Sequence, residues 1–205
     1  MSLEGITSVS EACKNIIEII ANIAERYNSK RGEILEEHVE PLYEKMQLIH
    51  NDYLKGFLEA KRCIENDEDP SRELSKFLEG RRLTVLAERE AADSFANSIS
   101  DLEKTLLSKE EQVLISEFAT ACINYLKRSS RIGRISWYSE VIRLNAMYVD
   151  FREQGFEGKA WEHPENGDNV KARLLEHLSF LLNGELSMAF EPVNNSYFNI
   201  RKVLR

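Results

Sequence analysis

The chain has 205 residues, 42% hydrophobic and 30% charged, which excludes a disordered chain and suits one domain with its own core. Nine glycines and four prolines are about half the ordinary usage of ~12%, which favours helices over a strand-and-turn fold. A formal net charge of −8 repels a nucleic-acid duplex or an anionic membrane except where basic residues cluster.

The spacing of apolar residues predicts an all-α fold, a long antiparallel helical hairpin with further helices packed as a single bundle-like domain over 1–205. The first helix, about 8–26, opens at Ser8 with Glu11 three residues on, the reciprocal capping-box pair, and carries Ile16, Ile17, Ile19, Ile20 and Ile23. The second, about 30–66, has the clearest stripe: Leu35, Val39, Leu42, Met46, Ile49, Tyr53, Phe57, Ala60 and Ile64 recur every three or four positions. Such a rod is ~55 Å long. Pro41 should kink it, or split it about one turn earlier, because a ring at that position removes a donor and crowds the preceding turn.

Asp69-Pro70 pairs a cap with a proline at the first helical position, restarting the chain as a third helix over about 70–107. The short linker implies that the two rods fold back on each other. Arg81 and Glu88 occupy seam positions of this helix, where apolar residues belong. Pairing with the facing helix to fix its register is the expectation, with a splayed, wet seam or a contact to another chain as the alternatives.

Ser108 with Glu111 is a second capping box and opens a helix over 109–127. Its two adjacent stripes, Leu114-Phe118-Ala121-Tyr125 and Ile115-Ala119-Cys122-Leu126, predict a wide buried face. The next helix, about 135–153, combines the seam Trp137, Val141, Leu144, Tyr148 and Phe151 with Ile135, Tyr138, Ile142 and Met147. That pattern predicts a central helix packed on several sides. Gly155, Gly158, Pro164 and Gly167 then punctuate an irregular loop over 154–168. A last helix, about 169–190, carries Leu174, Leu175, Leu178, Leu181, Leu182 and Leu186. Gly184 is a point of interruption, and Pro192 with Asn194-Asn195 should end it.

Cys13, Cys63 and Cys122 are odd in number and widely spaced, which fits neither a disulfide framework nor a zinc site. They read as small buried hydrophobes. No leader pattern opens the chain and no apolar run reaches the ~18 residues a membrane span needs, so the expected location is cytoplasmic. No glycine-rich phosphate loop, nucleophile elbow or His-Glu-x-x-His is present. The residues three before the four histidines are Leu35, Gln47, Ala160 and Leu174, so the Glu-x-x-His pair of helical di-iron proteins is missing. Neither a metal nor another cofactor is expected.

Three segments could carry chemistry or binding. Arg31 and His38 lie two turns apart on one face of a helix. The spacing resembles the Arg-x(4–6)-His motif of HEPN-type helical ribonucleases, which implies arginine stabilising phosphorane charge while histidine moves protons. Gly32 stands where that family favours a polar residue, and the five glutamates over 33–44 oppose an RNA backbone. The second segment is basic: Lys127, Arg128, Arg131, Arg134 and Arg143, against the single acid Glu140, give 127–143 a net charge of +4. These residues could hold an anion or an acidic partner, or pair with local glutamates in a solvated loop. The third is the 154–168 loop, whose Phe156 and Trp161 either meet a protein partner or fold back over the core. His50-Asn51-Asp52-Tyr53 contains acid–base side chains, but consecutive helical residues point to different faces and no catalysis is assigned to them.

Long apolar stripes on few helices lead to a non-enzymatic helical protein that binds protein partners, as a homo-oligomer or a subunit of a complex. A phosphate- or nucleic-acid-binding protein using 127–134 is the alternative, and a HEPN-like ribonuclease using Arg31 and His38 the second.

Overall fold

The computed structural model describes residues 35–81, 87, 108–127, 136–153 and 170–204, and every element among them is helical. These are α1 (Glu40–Glu65), α2 (Ser71–Arg81), α3 (Lys109–Lys127), α4 (Trp137–Glu153), α5 (Val170–Phe180) and α6 (Ser187–Leu204). A π-helical turn, Leu35–Val39, precedes α1, and a second, Leu181–Leu186, joins α5 to α6. The fold is all-α. The expected helix at 8–26, the third predicted helix over 82–86 and 88–107 with Glu88, and the 154–168 loop lie outside the described residues.

All nine members of the stripe from Leu35 to Ile64 are buried. The π-helical turn ends immediately before the turn holding Pro41, which is where a ring lacking an N–H disturbs a regular ladder. At its other end α1 closes with Asp67 in the left-handed region, φ 58°. The Glu68 amide donates to Cys63 O at 2.7 Å and the Asp67 amide to Ile64 O at 3.2 Å, which satisfies two of the last carbonyls. Lys171 of α5 adds its Nζ to Glu65 O at 3.1 Å and to the Asp67 carboxylate at 2.7 Å. A cation thus sits at the negative end of α1.

Asp69 accepts the Ser71 amide at 2.8 Å and so caps α2. This helix folds back along α1, with Phe77 against Gly56 and Tyr53 and, further on, Arg81 over the Tyr53 ring. α3 opens with the reciprocal pair foreseen at Ser108 and Glu111: Ser108 N to Glu111 Oε2 at 2.9 Å, Glu111 N to Ser108 Oγ at 3.2 Å. Seven of its eight stripe residues are buried and Leu114 packs at the margin.

Two expectations are corrected. α4 is not buried all round: Trp137, Val141, Leu144 and Tyr148 are buried along one seam, but Ile142 is 45% exposed. Nor does Pro192 end the last helix, which continues through it to Leu204. The proline and Met188, whose carbonyl loses its donor, are both exposed, so water can take over that carbonyl. The extension buries Val193, Tyr197 and Ile200, and α6 packs chiefly against α3 and touches α1.

Among the described residues no helix is long and apolar enough to cross a membrane.

Candidate functional site

The polar side chains inside the fold fasten one helix to the next. Between α1 and α6, Tyr43 and Tyr197 stack at 3.8 Å with their planes 2° apart. The Tyr43 hydroxyl donates to Asn194 Oδ1 at 2.8 Å and accepts from Gln47 Nε2 at 3.0 Å. At the same junction Arg201 Nε lies 3.9 Å from the Glu40 carboxylate. Two turns along α1, His50 stacks on Phe190 at 4.3 Å and shares a 3.0 Å hydrogen bond between Nδ1 and the Tyr125 hydroxyl. Burial pulls the His50 pKa below its ordinary value, favouring the neutral ring.

Asp52 answers to other neighbours. Partial burial raises its carboxyl above the usual value, while Arg81 and then Lys55 pull it down. Arg81 itself is buried, 4.9 Å from the Tyr53 ring centroid and 3.4 Å from the Tyr53 hydroxyl. His50 therefore faces Tyr125 and Phe190, while Asp52 and Tyr53 share Arg81 as a neighbour. Arg81, the seam charge of the third predicted helix, faces α1 of its own chain.

A further cluster joins α4 to α5. The Glu140 side chain is 4% exposed and its Oε1 accepts from Arg143 at 2.7 Å (NH2) and 3.1 Å (Nε). His177 Nε2 lies 3.1 Å from that same oxygen and 3.1 Å from the Arg143 guanidinium. A single nitrogen cannot donate to the carboxylate and accept from the guanidinium through one lone pair and one proton at once, so each tautomer makes one of the two contacts. Among the described residues this is a charged clamp between helices, with Arg143 and His177 on the buried Glu140 carboxylate.

Of the residues singled out in the sequence, Arg31, Arg128, Arg131, Arg134, Phe156, Trp161 and the His38 side chain lie outside the described residues. Lys127 closes α3 at the edge of the fold. Arg143 is turned to Glu140 and His177, partners within the chain. The spacing Glu140-x-x-Arg143 was legible as a one-turn pair on a helix; His177, thirty-four residues further on, was not. The Tyr43–Tyr197 layer was hidden because the segment around Tyr197 carried no assigned element.

The outer surface supplies a different feature. Phe180 is 59% exposed and Met188 69% exposed, with Gly184 midway between them. Steps of four keep all three on one side of the α5–α6 column. A Cβ at Gly184 would lie 3.8 Å from the Phe180 ring, so that ring rests beside the glycine. The result is a low apolar shelf with Arg173 seven residues before Phe180 and Glu191 seven after Gly184, both exposed.

Burial pushes up the thiols of Cys63 and Cys122, which favours their protonated form. Among the described residues no group of three or more His, Cys, Asp or Glu side chains is placed to hold a metal ion. No family model matches the chain, and no curated protein or solved structure matches it either.

Proposed function

We propose that this protein is a helical assembly component that binds other protein chains through the exposed face of α5 and α6. The observation that carries the reading is the pairing of Phe180 and Met188, two large apolar side chains more than half exposed on one helical column. Isolated exposed apolar residues are ordinary, but two of them on one side of a helical column, either side of a glycine, offer an apolar face to a partner helix. The polar groups favour the same reading: Glu140, Arg143, Tyr43 and His50 are engaged in fastening helices to one another.

The test is co-purification from the native host with wild-type protein and a Phe180→Glu, Met188→Glu variant, followed by direct binding of the purified partner. A partner that binds the wild type at least about tenfold more tightly than the variant supports the reading. Partners bound equally by both proteins contradict it.

A further inference from the structure

The strip that carries Phe180 and Met188 ends in charges of one sign. Glu176 lies four residues before Phe180 and Glu191 three after Met188, so Glu176, Phe180, Gly184, Met188 and Glu191 step by 4, 4, 4 and 3 along one side of the α5–α6 column. Both glutamates are exposed, and among the described residues neither is in an ion pair. The other charges near the strip are already committed: Lys171 holds Asp67 at 2.7 Å, His177 lies on Glu140, and Arg173 and Glu185 each have an interaction within the chain. Resting on the protein-binding reading, we infer that the partner for this face is a helix of a different protein, with an apolar pair bracketed at both ends by lysine or arginine.

The apolar part of the strip is short. From Phe180 to Met188 it runs ~12 Å, and the Phe180 ring rests beside Gly184, leaving a shelf rather than a socket. Burial of so small a patch binds any apolar helix weakly, so the charges at its ends select among candidates. The two glutamates stand ~22 Å apart, about four helical turns, which sets the spacing of the partner's cations. The net charge of −8 favours a basic partner over the longer range as well. The same pattern rejects a second copy of the chain. A two-fold axis through Gly184 lays Phe180 on Met188 but brings Glu176 of each copy to Glu191 of the other, like charge on like. Moving the axis to Leu182 sets Met188 against Glu176, an apolar side chain against a carboxylate.

Two synthetic helical peptides of about 20 residues test the charge rule, each with two leucines two turns apart. One is flanked by lysines about four turns apart, the other by glutamates at the same positions. Fluorescence anisotropy with the full chain at low salt should show the lysine peptide bound about tenfold more tightly, a preference that narrows at about 1 M salt. The double variant Glu176→Lys, Glu191→Lys should invert the preference, and Phe180→Ala with Met188→Ala should weaken both peptides. Circular dichroism checks that each variant is folded. Equal binding of the two peptides, or a preference that the charge-reversed variant keeps, overturns the inference. So does a lysine peptide that fails to bind at about 1 mM, or self-association of the wild type that Phe180→Ala abolishes. Peptides bound alike, yet lost with the alanine variant, sink the charge rule and leave the protein-binding face standing. Binding that ignores the alanine variant sinks both.

Discussion

A methyl group added at Gly56 would meet the Phe77 ring at 3.0 and 3.1 Å, whereas one added at Gly184 would find the Phe180 ring at 3.8 Å, an ordinary contact. Both glycines sit in helical backbone, where alanine is favoured by ~0.5–1 kcal/mol. Phe77 is held against Tyr53 at 5.5 Å and has little room to retreat. Gly184→Ala should therefore raise chemical-denaturation stability by about 0.5–1 kcal/mol, and Gly56→Ala should lower it by about 1 kcal/mol or more. His50 supplies a pH dependence. Its folded pKa lies below the ordinary 6.5, so the unfolded chain takes up the proton more readily and stability falls as pH drops through about 6.5. His50→Gln should flatten that part of the loss between pH 7.5 and 5 (approximate limits), measured as urea midpoints. An unchanged slope would show that His50 is not protected from protonation.

At the scale of elements, caps and stripes were legible because they depend on local spacing alone. The Ser108–Glu111 box and the nine-residue stripe of α1 needed no knowledge of what they face. Two elements depended on tertiary context. Pro192 reads as a stop in sequence, yet the burial of Val193, Tyr197 and Ile200 against the core outweighs one missing hydrogen bond on the wet side. Ile142 looked like part of a buried all-round surface because apolar periodicity cannot say how many neighbours a helix has. Gly184, read as an interruption, lies within a π-helical turn rather than a break, so α5 and α6 remain one column. Since Pro192 is tolerated rather than required, Pro192→Ala should restore the donor to the Met188 carbonyl and raise stability by about 1–2 kcal/mol, after allowance for the looser unfolded chain. A drop in the thermal midpoint would show that the proline fixes a bend the core needs.

For the whole molecule, the helices converge on aromatic layers, Tyr43–Tyr197 and His50–Tyr125–Phe190, that bind α1, α3 and α6 into one core. Which helices pack together was not readable, because it follows from contacts more than a hundred residues apart, such as Tyr43 with Asn194. The exposed apolar pair was equally hidden: Phe180 and Met188 look like further core residues until the buried leucines show which side of the column faces inward. The sequence stripes led to the idea of an assembly protein, and the exposed Phe180 and Met188 are where the proposed function places the contact. Binding of the full chain to a partner captured from the native host, measured beside Phe180→Glu, tests that proposal most directly. The account predicts binding at least about tenfold weaker for the variant. Equal binding by the two proteins would contradict it.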